Sequence, residues 1–510
     1  MIKINKLFQF FFNKNFWLCV FSAILLILAF PKTDLGILGW VGLIPLMLAL
    51  EGKNPRQAFG LSYLCGIVFF AGTLYWFIYV DILVALIGAP LLILYLSLFF
   101  GLFGLMYSVF CRAEGRLQFI VLPSAWVVLE WIRANFLTGF GWVSLAHSQY
   151  KNLLLIQIAD LTGIFGISFL MVTVNLLGKE GILCFQKKSK ISFKQWLNNL
   201  FLPAFFILIA VWGYGGWRLF SFPGDSVSIK AAVVQGNIPQ ERKWMPSQWP
   251  GIMEEYIALT REAAKENPQL IIWPETAFPG ILWEDEVFLN ELKRTASQTQ
   301  IPLLFGSVIN EGEEYYNSAL LISKEGEPAG RYDKIHLVPF GEYVPLRSLL
   351  PFLSNVVPIG DFTAGGEFTI FPAPAPFSAL ICFEDTVPYL SREFTRRGAK
   401  LLINITNDAW FKDTKEPFLH LQSAVFRSIE NRRTLIRAAN TGVSSFIDPL
   451  GRIFKTVERH GKKTYISGYA IASIPLNNTL TFYTRFGDMF VYFCLGIVLF
   501  GVLLKITKIS

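Results

Sequence analysis

The sequence predicts two fold classes joined in one chain: a helical membrane block of about eight transmembrane spans and a layered α/β domain of about 260 residues. Three observations carry that prediction. Of the 510 residues, 53% are hydrophobic and the mean hydropathy is +0.46, too apolar for a soluble enzyme. Apolar runs long enough to span a bilayer recur through the first 220 residues and return once near the C-terminus. After residue 220 the composition changes abruptly, and strand-like and helix-like periodicities alternate. The expected domains are therefore a helical block at 1–220, an extramembrane domain at 221–484, and a last transmembrane helix at 485–510.

The apolar runs lie near 15–30, 35–50, 58–80, 86–110, 118–134, 153–177, 199–219 and 487–506. Lys3, Lys6 and Lys14 ahead of the first run imitate a secretory signal. No small-residue cleavage site follows at Ala29-Phe30-Pro31-Lys32, so the run reads as a retained helix. Lys53 and Arg56 fall in one loop, Arg112 and Arg116 in another, and Lys179, Lys187, Lys188, Lys190 and Lys194 in a third. All three loops share a side, which the positive-inside rule makes cytoplasmic, together with both termini. Seven spans then precede the long segment from about 221 to 484, and that odd number puts it on the outer face, periplasmic in a Gram-negative bacterium. The net charge of +8 is thus mostly a topology signal, with basic loops facing anionic lipid, and no nucleic-acid partner is expected.

Within the helical block, Glu130 and Arg133 stand at i, i+3 near the outer end of a span. Ionisable groups at that depth are costly unless paired or functional, so the pair reads either as an interfacial ion pair between tryptophan anchors or as part of a lipid headgroup site. The aromatic, glycine-rich stretch from Phe136 to Trp142 suits the outer interface.

In the α/β segment the pattern predicts strands at Ser228–Gln235, Leu270–Trp273, Pro302–Ser307, Ser318–Ser323, the run ending at Cys382, Lys400–Thr406, 443–448 and 464–470. Helices are expected at Gly251–Glu266, 285–299, 388–397 and 417–438. Alternating strands and helices argue for one layered α/β unit.

The six cysteines are Cys19, Cys65, Cys111, Cys184, Cys382 and Cys494, and only Cys382 lies in this segment. It has no disulfide partner there, and the spacings fit no metal site. A strand that ends in a cysteine followed by Glu384 and Asp385 reads as inert packing or as a presented nucleophile. An unpaired thiol kept in an oxidising compartment favours the second.

Three stretches share one layout, an apolar strand running straight into a reactive residue: Ile271-Ile272-Trp273-Pro274-Glu275, the run from Arg331 through Lys334 to Glu342, and Leu380-Ile381-Cys382-Phe383-Glu384. Strand ends are where side chains of an α/β domain converge on a crevice. Together, in that order, the stretches resemble the nitrilase superfamily. With the membrane block and the last span added, the chain resembles the apolipoprotein N-acyltransferase family, the membrane-embedded branch of that superfamily. Other matching pieces are Val234 to Gln240, Trp273-Pro274-Glu275-Thr276, Tyr316-Asn317-Ser318, His336 to Glu342, Asn404 to Trp410, Leu129-Glu130-Trp131 and Phe136 to Phe140.

The resemblance implies a nitrilase-like αββα sandwich for the extramembrane domain and a role for each of several residues. Cys382 would be the nucleophile, and only its thiolate attacks, whereas a free thiol has a pKa of roughly 8.5. Glu275 would take the proton as general base. Lys334 would supply the cation and, with the Phe383 N–H, stabilise the oxyanion. Glu342 would hold Lys334. Trp244, Asn317 and Glu384 match positions in or near the family's site. Where the family often has tyrosine this chain has Phe383, which brings no hydroxyl.

The implied reaction takes the sn-1 acyl chain of a membrane glycerophospholipid onto Cys382 as a thioester. It then passes that chain to the α-amine of a diacylglyceryl-cysteine at the start of an apolipoprotein. The implied enzyme works in the bacterial inner membrane as a monomer, its catalytic domain facing the periplasm, with no cofactor and no metal. The stretch 355–366 is expected to be a mobile lid. Competing readings are a membrane-tethered amidase or nitrilase-type hydrolase with water as second nucleophile, a Cys–His dyad drawing on His336, His420 or His460, and a non-catalytic receptor with an α/β sensor domain.

Overall fold

A computed structural model describes residues 13–82, 84–111, 117–222, 227–343 and 361–507. The chain divides into two units, one running to Ser221 and resuming at Phe486, the other Phe222–Arg485.

In the first unit, five helices among the described residues are long and apolar enough to cross a membrane: Pro55–Tyr79, Val84–Phe110, Phe165–Phe185, Phe193–Ser221 and Met489–Ile506. The other expected spans take different forms. The run at 35–50 breaks into the 3₁₀ turn Gly36–Trp40 and the short helix Ile44–Leu50, because Pro45, lacking an N–H, starts a new first turn. The run at 153–177 is interrupted at Gly163, whose φ of 61° ends one turn before the helix Phe165–Phe185 begins. The helix Gln118–Asn135 does form, with Glu130 and Arg133 buried on it. The hydrogen bonds of the pair run to the loop beyond the helix. Glu130 Oε1 accepts from the Leu145 N–H at 2.7 Å, while Arg133 donates to the Trp142 carbonyl at 2.6 Å and Ser144 Oγ at 2.9 Å. The two side chains fasten the loop that follows their own helix. The basic residues Lys3, Lys6, Arg112 and Arg116 lie outside the described residues.

The second unit holds two sheets. The first, in spatial order, is β11 (Gly468–Pro475), β1 (Ser228–Gln235), β2 (Leu270–Ile272), β3 (Leu303–Glu311), β4 (Glu314–Ile322) and β5 (Pro328–Asp333). The second is β10 (Ile453–Thr456), β9 (Ser445–Ile447), β8 (Thr434–Ala439), β7 (Leu401–Thr406) and β6 (Phe377–Ile381). They face each other, β1 against β8 and β4 against β6. Helices Trp249–Ala264 and Glu286–Thr299 cover the outer side of the first, and Pro388–Arg396 and Glu416–Asn431 that of the second. This is an αββα sandwich, the nitrilase-like α/β arrangement.

Strands β6, β7 and β8 run parallel and are buried along their whole length, as parallel strands covered on both faces must be. On the other sheet, Trp273 closes β2 fully buried, with its ring stacked on Tyr256 at 4.9 Å and Nε1 donating to Thr260 Oγ1 at 2.8 Å. Burying one such aromatic contributes roughly 1.5–3 kcal/mol. The sequence reading of one helix over 417–438 is corrected. The helix ends at Asn431, Arg432 turns into the left-handed region with φ 50°, and Thr434–Ala439 is the middle strand of the second sheet.

Candidate active site

Parallel register sets the site. Ile381 pairs with Ile405 and Ile405 with Ala438, so Cys382, the first residue after β6, stands level with Thr406 and Ala439, the last residues of β7 and β8. Glu275 follows β2, and Lys334 follows β5 with its backbone N–H on the Asn317 carbonyl of β4 at 2.9 Å. The fold thus brings Glu275, Asn317, Lys334, Glu342 and Cys382, distant in sequence, to one end of the two facing sheets.

Lys334, 1% exposed, donates from Nζ to Glu342 Oε1 at 2.9 Å, with Oε2 at 2.8 Å and Glu275 Oε1 at 3.8 Å. Burial opposes its charge, but the Glu342 and Glu275 carboxylates overcome that and hold the ammonium well above its ordinary value. Asn317 Nδ2 bridges the two acids, 2.8 Å from Glu275 Oε1 and 2.7 Å from Glu342 Oε1. The second oxygen of Glu275 accepts from the Asn407 backbone N–H at 2.9 Å, and that of Glu342 from the Val338 N–H at 2.8 Å. Both carboxylates are thereby fixed by donors from separate elements.

Cys382 is half-buried, with φ 53°. Thr276 and Phe340, next to other site residues, also have positive φ, at 47° and 60°. Backbone strain of this kind persists only where its surroundings over-determine it. Enclosure of the sulfur, and then the Glu275 charge, push the Cys382 thiol well above its ordinary value, while Lys334 and a hydrogen bond with Thr406 pull it down. The resting sulfur is therefore a thiol. Glu275 is the carboxylate that most perturbs it.

The remaining expected residues divide by position. Glu384 is fully buried: Oε1 accepts from Tyr332 Oη at 2.8 Å and from the Ile335 and His336 N–H groups at 2.8 and 3.0 Å, and Oε2 from the Ile381 N–H at 2.7 Å. Burial raises it to about 7, against the pull of those donors. It ties the Cys382 turn to the Lys334 loop. Phe383 lies beside that loop, its ring stacked on His336 at 5.9 Å. Trp244 is 52% exposed and meets exposed Trp410 edge to face at 6.2 Å, outside the buried polar cluster.

Sequence reasoning passed over several groups. Lys243, 3% exposed, donates to the Thr276 carbonyl at 2.9 Å, and its burial, partly offset by Glu275, lowers it to about 8. Asn407 joins Gln240 and Asn440, and Asn440 in turn holds the Ile238 backbone, so the ends of the two sheets are stitched together. Beneath Cys382 lie Asp385, Asp408, Glu416, His420 and Arg437, each 1% exposed or less. Arg437 reaches Asp385 Oδ2 at 2.9 Å and Asp408 Oδ2 at 3.0 Å. Asp408, Glu416 and His420 bring ligand-type atoms within 4.8 Å of one another. The Arg437 guanidinium, 2.7 Å from His420 Nδ1, stands where a cation would bind them. His420 has its Nδ1 against Asp408 and Arg437 and its Nε2 against Asp385 and the Cys382 carbonyl, contacts that do not suit a base for the thiol. His460 sits in an exposed turn. Of the expected lid, 355–360 lies outside the described residues. Beyond it, Phe362, Thr363 and Gly365 bond by their N–H groups to the Glu342, Tyr315 and Lys334 carbonyls.

Residues 22–177 match the profile of the apolipoprotein N-acyltransferase N-terminal domain, and residues 230–479 match carbon-nitrogen hydrolase. The apolipoprotein N-acyltransferase of Geobacter metallireducens is 37% identical, the match covering 95% of this chain and 94% of that protein. That of Chlorobaculum tepidum is 30% identical over 98% of this chain and 97% of its own. Among solved structures, an amidase from Nesterenkonia sp. matches 53% of this chain and 96% of its own at 18% identity, with a TM-score of 0.39. Two family profiles in sequence and relatives aligned end to end lead to one assignment: the chain belongs to the apolipoprotein N-acyltransferase family.

Proposed function

We propose that the chain N-acylates lipoproteins by a two-step transfer through Cys382. Glu275 takes the thiol proton as Sγ attacks the sn-1 ester carbonyl of a glycerophospholipid. Lys334 and the Phe383 N–H stabilise the oxyanion. Collapse breaks the ester C–O bond, Glu275 returns the proton to the leaving alkoxide, and a lysophospholipid departs from a Cys382 thioester. The α-amine of a diacylglyceryl-cysteine then attacks the thioester. Glu275 takes a proton from that amine, the amide forms, and the thiolate leaves and is protonated again. Glu342 and Asn317 hold Lys334 and Glu275 in register, and Glu384 braces the turn that carries Cys382. The exposed Trp244, paired with Trp410, offers an aromatic surface for lipid.

The observation that carries this reading is the buried Lys334 held between Glu342 and Glu275, beside a half-buried cysteine, in a chain of this family. The five long apolar helices among the described residues suit lipid substrates. The fuller topology in this reading has eight spans, basic loops and termini in the cytoplasm, domains at 1–220, 221–484 and 485–510, and the catalytic domain facing the periplasm. In this reading the enzyme acts as a monomer, and the chemistry calls for no cofactor.

The test is incubation of the purified protein with phospholipid vesicles, followed by mass spectrometry of the intact chain. An acyl mass on Cys382 that persists until an acceptor amine is added supports the transferase. Rapid loss of the adduct to water would instead identify a hydrolase, and an adduct on a Cys382→Ala variant would remove Cys382 from the chemistry.

A further inference from the structure

The oxyanion donor in the proposed mechanism, the Phe383 N–H, is one end of a peptide unit whose other end is the Cys382 carbonyl. That carbonyl is held by two buried side chains. Asn404 Nδ2, from β7, donates to it at 3.0 Å, and His420 Nε2, from the helix Glu416–Asn431, meets it at 3.2 Å. The peptide follows a residue at φ 53°, a conformation that costs energy and needs outside support to stay in one orientation.

His420 is built to donate there. Nε2 faces the Cys382 carbonyl and, at 2.8 Å, Asp385 Oδ1, both acceptors. The ring proton is therefore on Nε2 whether the imidazole is neutral or charged. On the far side, Nδ1 lies 3.2 Å from Asp408 Oδ1 and 2.7 Å from an Arg437 nitrogen, and Glu416 Oε1 is 3.5 Å away. Ring and carboxylates are all 1% exposed or less. A leucine would fill such a core volume without the desolvation cost of three acids, an imidazole and a guanidinium.

We propose that His420 is a positioning residue for acyl transfer: with Asn404 it clamps and polarises the Cys382–Phe383 peptide, so that the Phe383 N–H is a fixed and strengthened oxyanion donor. Hydrogen bonds in series polarise one another, by about 10–30% per bond. A donor oriented in advance needs no reorganisation when charge develops on the substrate oxygen. The proposal rests on Cys382 being the acyl-carrying nucleophile.

Two reactions of the same sulfur separate this role from plain structural support. Acylation by phospholipid passes through an oxyanion, whereas alkylation by iodoacetamide needs the sulfur but no oxyanion hole. Full-length wild type, His420→Leu and His420→Gln are compared in vesicles of phosphatidylethanolamine and phosphatidylglycerol. The readouts are the single-turnover rate of Cys382 acylation and the rate of its alkylation. His420→Leu is expected to lower acylation by about tenfold relative to alkylation, less than the ~10²–10³ lost when an oxyanion donor is removed outright. His420→Gln, which offers the carbonyl a neutral N–H, is expected to fall between. Acylation and alkylation declining in proportion in both variants, unchanged acylation in His420→Leu, or His420→Gln as slow as His420→Leu would each overturn the proposal. Wild type that carries no acyl group on Cys382 would instead defeat the nucleophile reading, a result independent of the variants.

Discussion

Replacing Gly306 by alanine tests how tightly Glu275, the proposed base, must be held. Gly306 lies on β3 beside the end of β2, its N–H on the Pro274 carbonyl at 3.1 Å and its carbonyl taking the Ala277 N–H at 2.9 Å. A methyl group there would stand 2.6 Å from Glu275 Cα and 2.7 Å from the Thr276 nitrogen, where ordinary contact begins at 3.4 Å. Both obstacles are backbone, which cannot rotate away, so the Glu275 main chain must retreat by roughly 0.8 Å in a close-packed interior. A displacement near 1 Å at a reacting group costs about 10²-fold. The expected result for Gly306→Ala is a single-turnover acylation rate about 10²-fold down. Gly366→Ala, with nothing within 4 Å of the added carbon, should match wild type. Both are read by intact-mass kinetics beside a thermal melt. A folded Gly306→Ala protein that acylates at the wild-type rate would refute the claim that Glu275 placement is limiting.

Glu342→Gln keeps the shape but leaves buried Lys334 with Glu275 at 3.8 Å as its remaining carboxylate among the described residues, so stability should fall by about 3–5 kcal/mol and acylation with it. Equal denaturation midpoints for variant and wild type would contradict this. Glu384→Gln turns an amide NH₂ toward donors among Tyr332 Oη and the Ile335, His336 and Ile381 N–H groups; a loss of about 1–3 kcal/mol is expected in urea titrations. Burial and Arg437 oppose a charge on His420, but Asp385 and Asp408 raise it to about 10 from 6.5. A group raised on folding stabilises fully below its unfolded value and loses that contribution as pH climbs through the folded one. His420, faced by Asp385, Asp408, Glu416 and Arg437, should therefore give stability that declines from about pH 6.5 to about pH 10. The decline should flatten in His420→Gln, and an identical slope in that variant would count against the assignment.

Glu275 and Cys382 were legible locally because each follows a run of apolar strand residues, whereas Lys334 follows the polar strand β5 and only the order of the three stretches points to it. Asn407, Asn440, Arg437 and the role of His420 were not. Their meaning lies in contacts such as Asn407 with Glu275 and His420 with the Cys382 carbonyl, which no local spacing encodes. The helix assigned to 417–438 failed for a related reason. The stretch after Asn431 suits either helix or strand, and the choice falls to strand because β8 completes the second sheet between β7 and β9. In the helical block, hydropathy found the apolar runs but could not see that Gly163 would interrupt one, or that Glu130 and Arg133 would fasten a loop.

The sequence by itself determined the two-part character of this protein, the alternation that builds its α/β layers, and the order in which Glu275, Lys334 and Cys382 arrive. Those properties rest on hydropathy and period, which are local. Only the tertiary structure decided that Asn317 bridges two acids, that Glu384 braces the cysteine turn, and that a buried cluster reaches the Cys382 carbonyl. Burial removes water as an alternative partner, so these side chains draw on groups from other strands and helices, and the fold selects which.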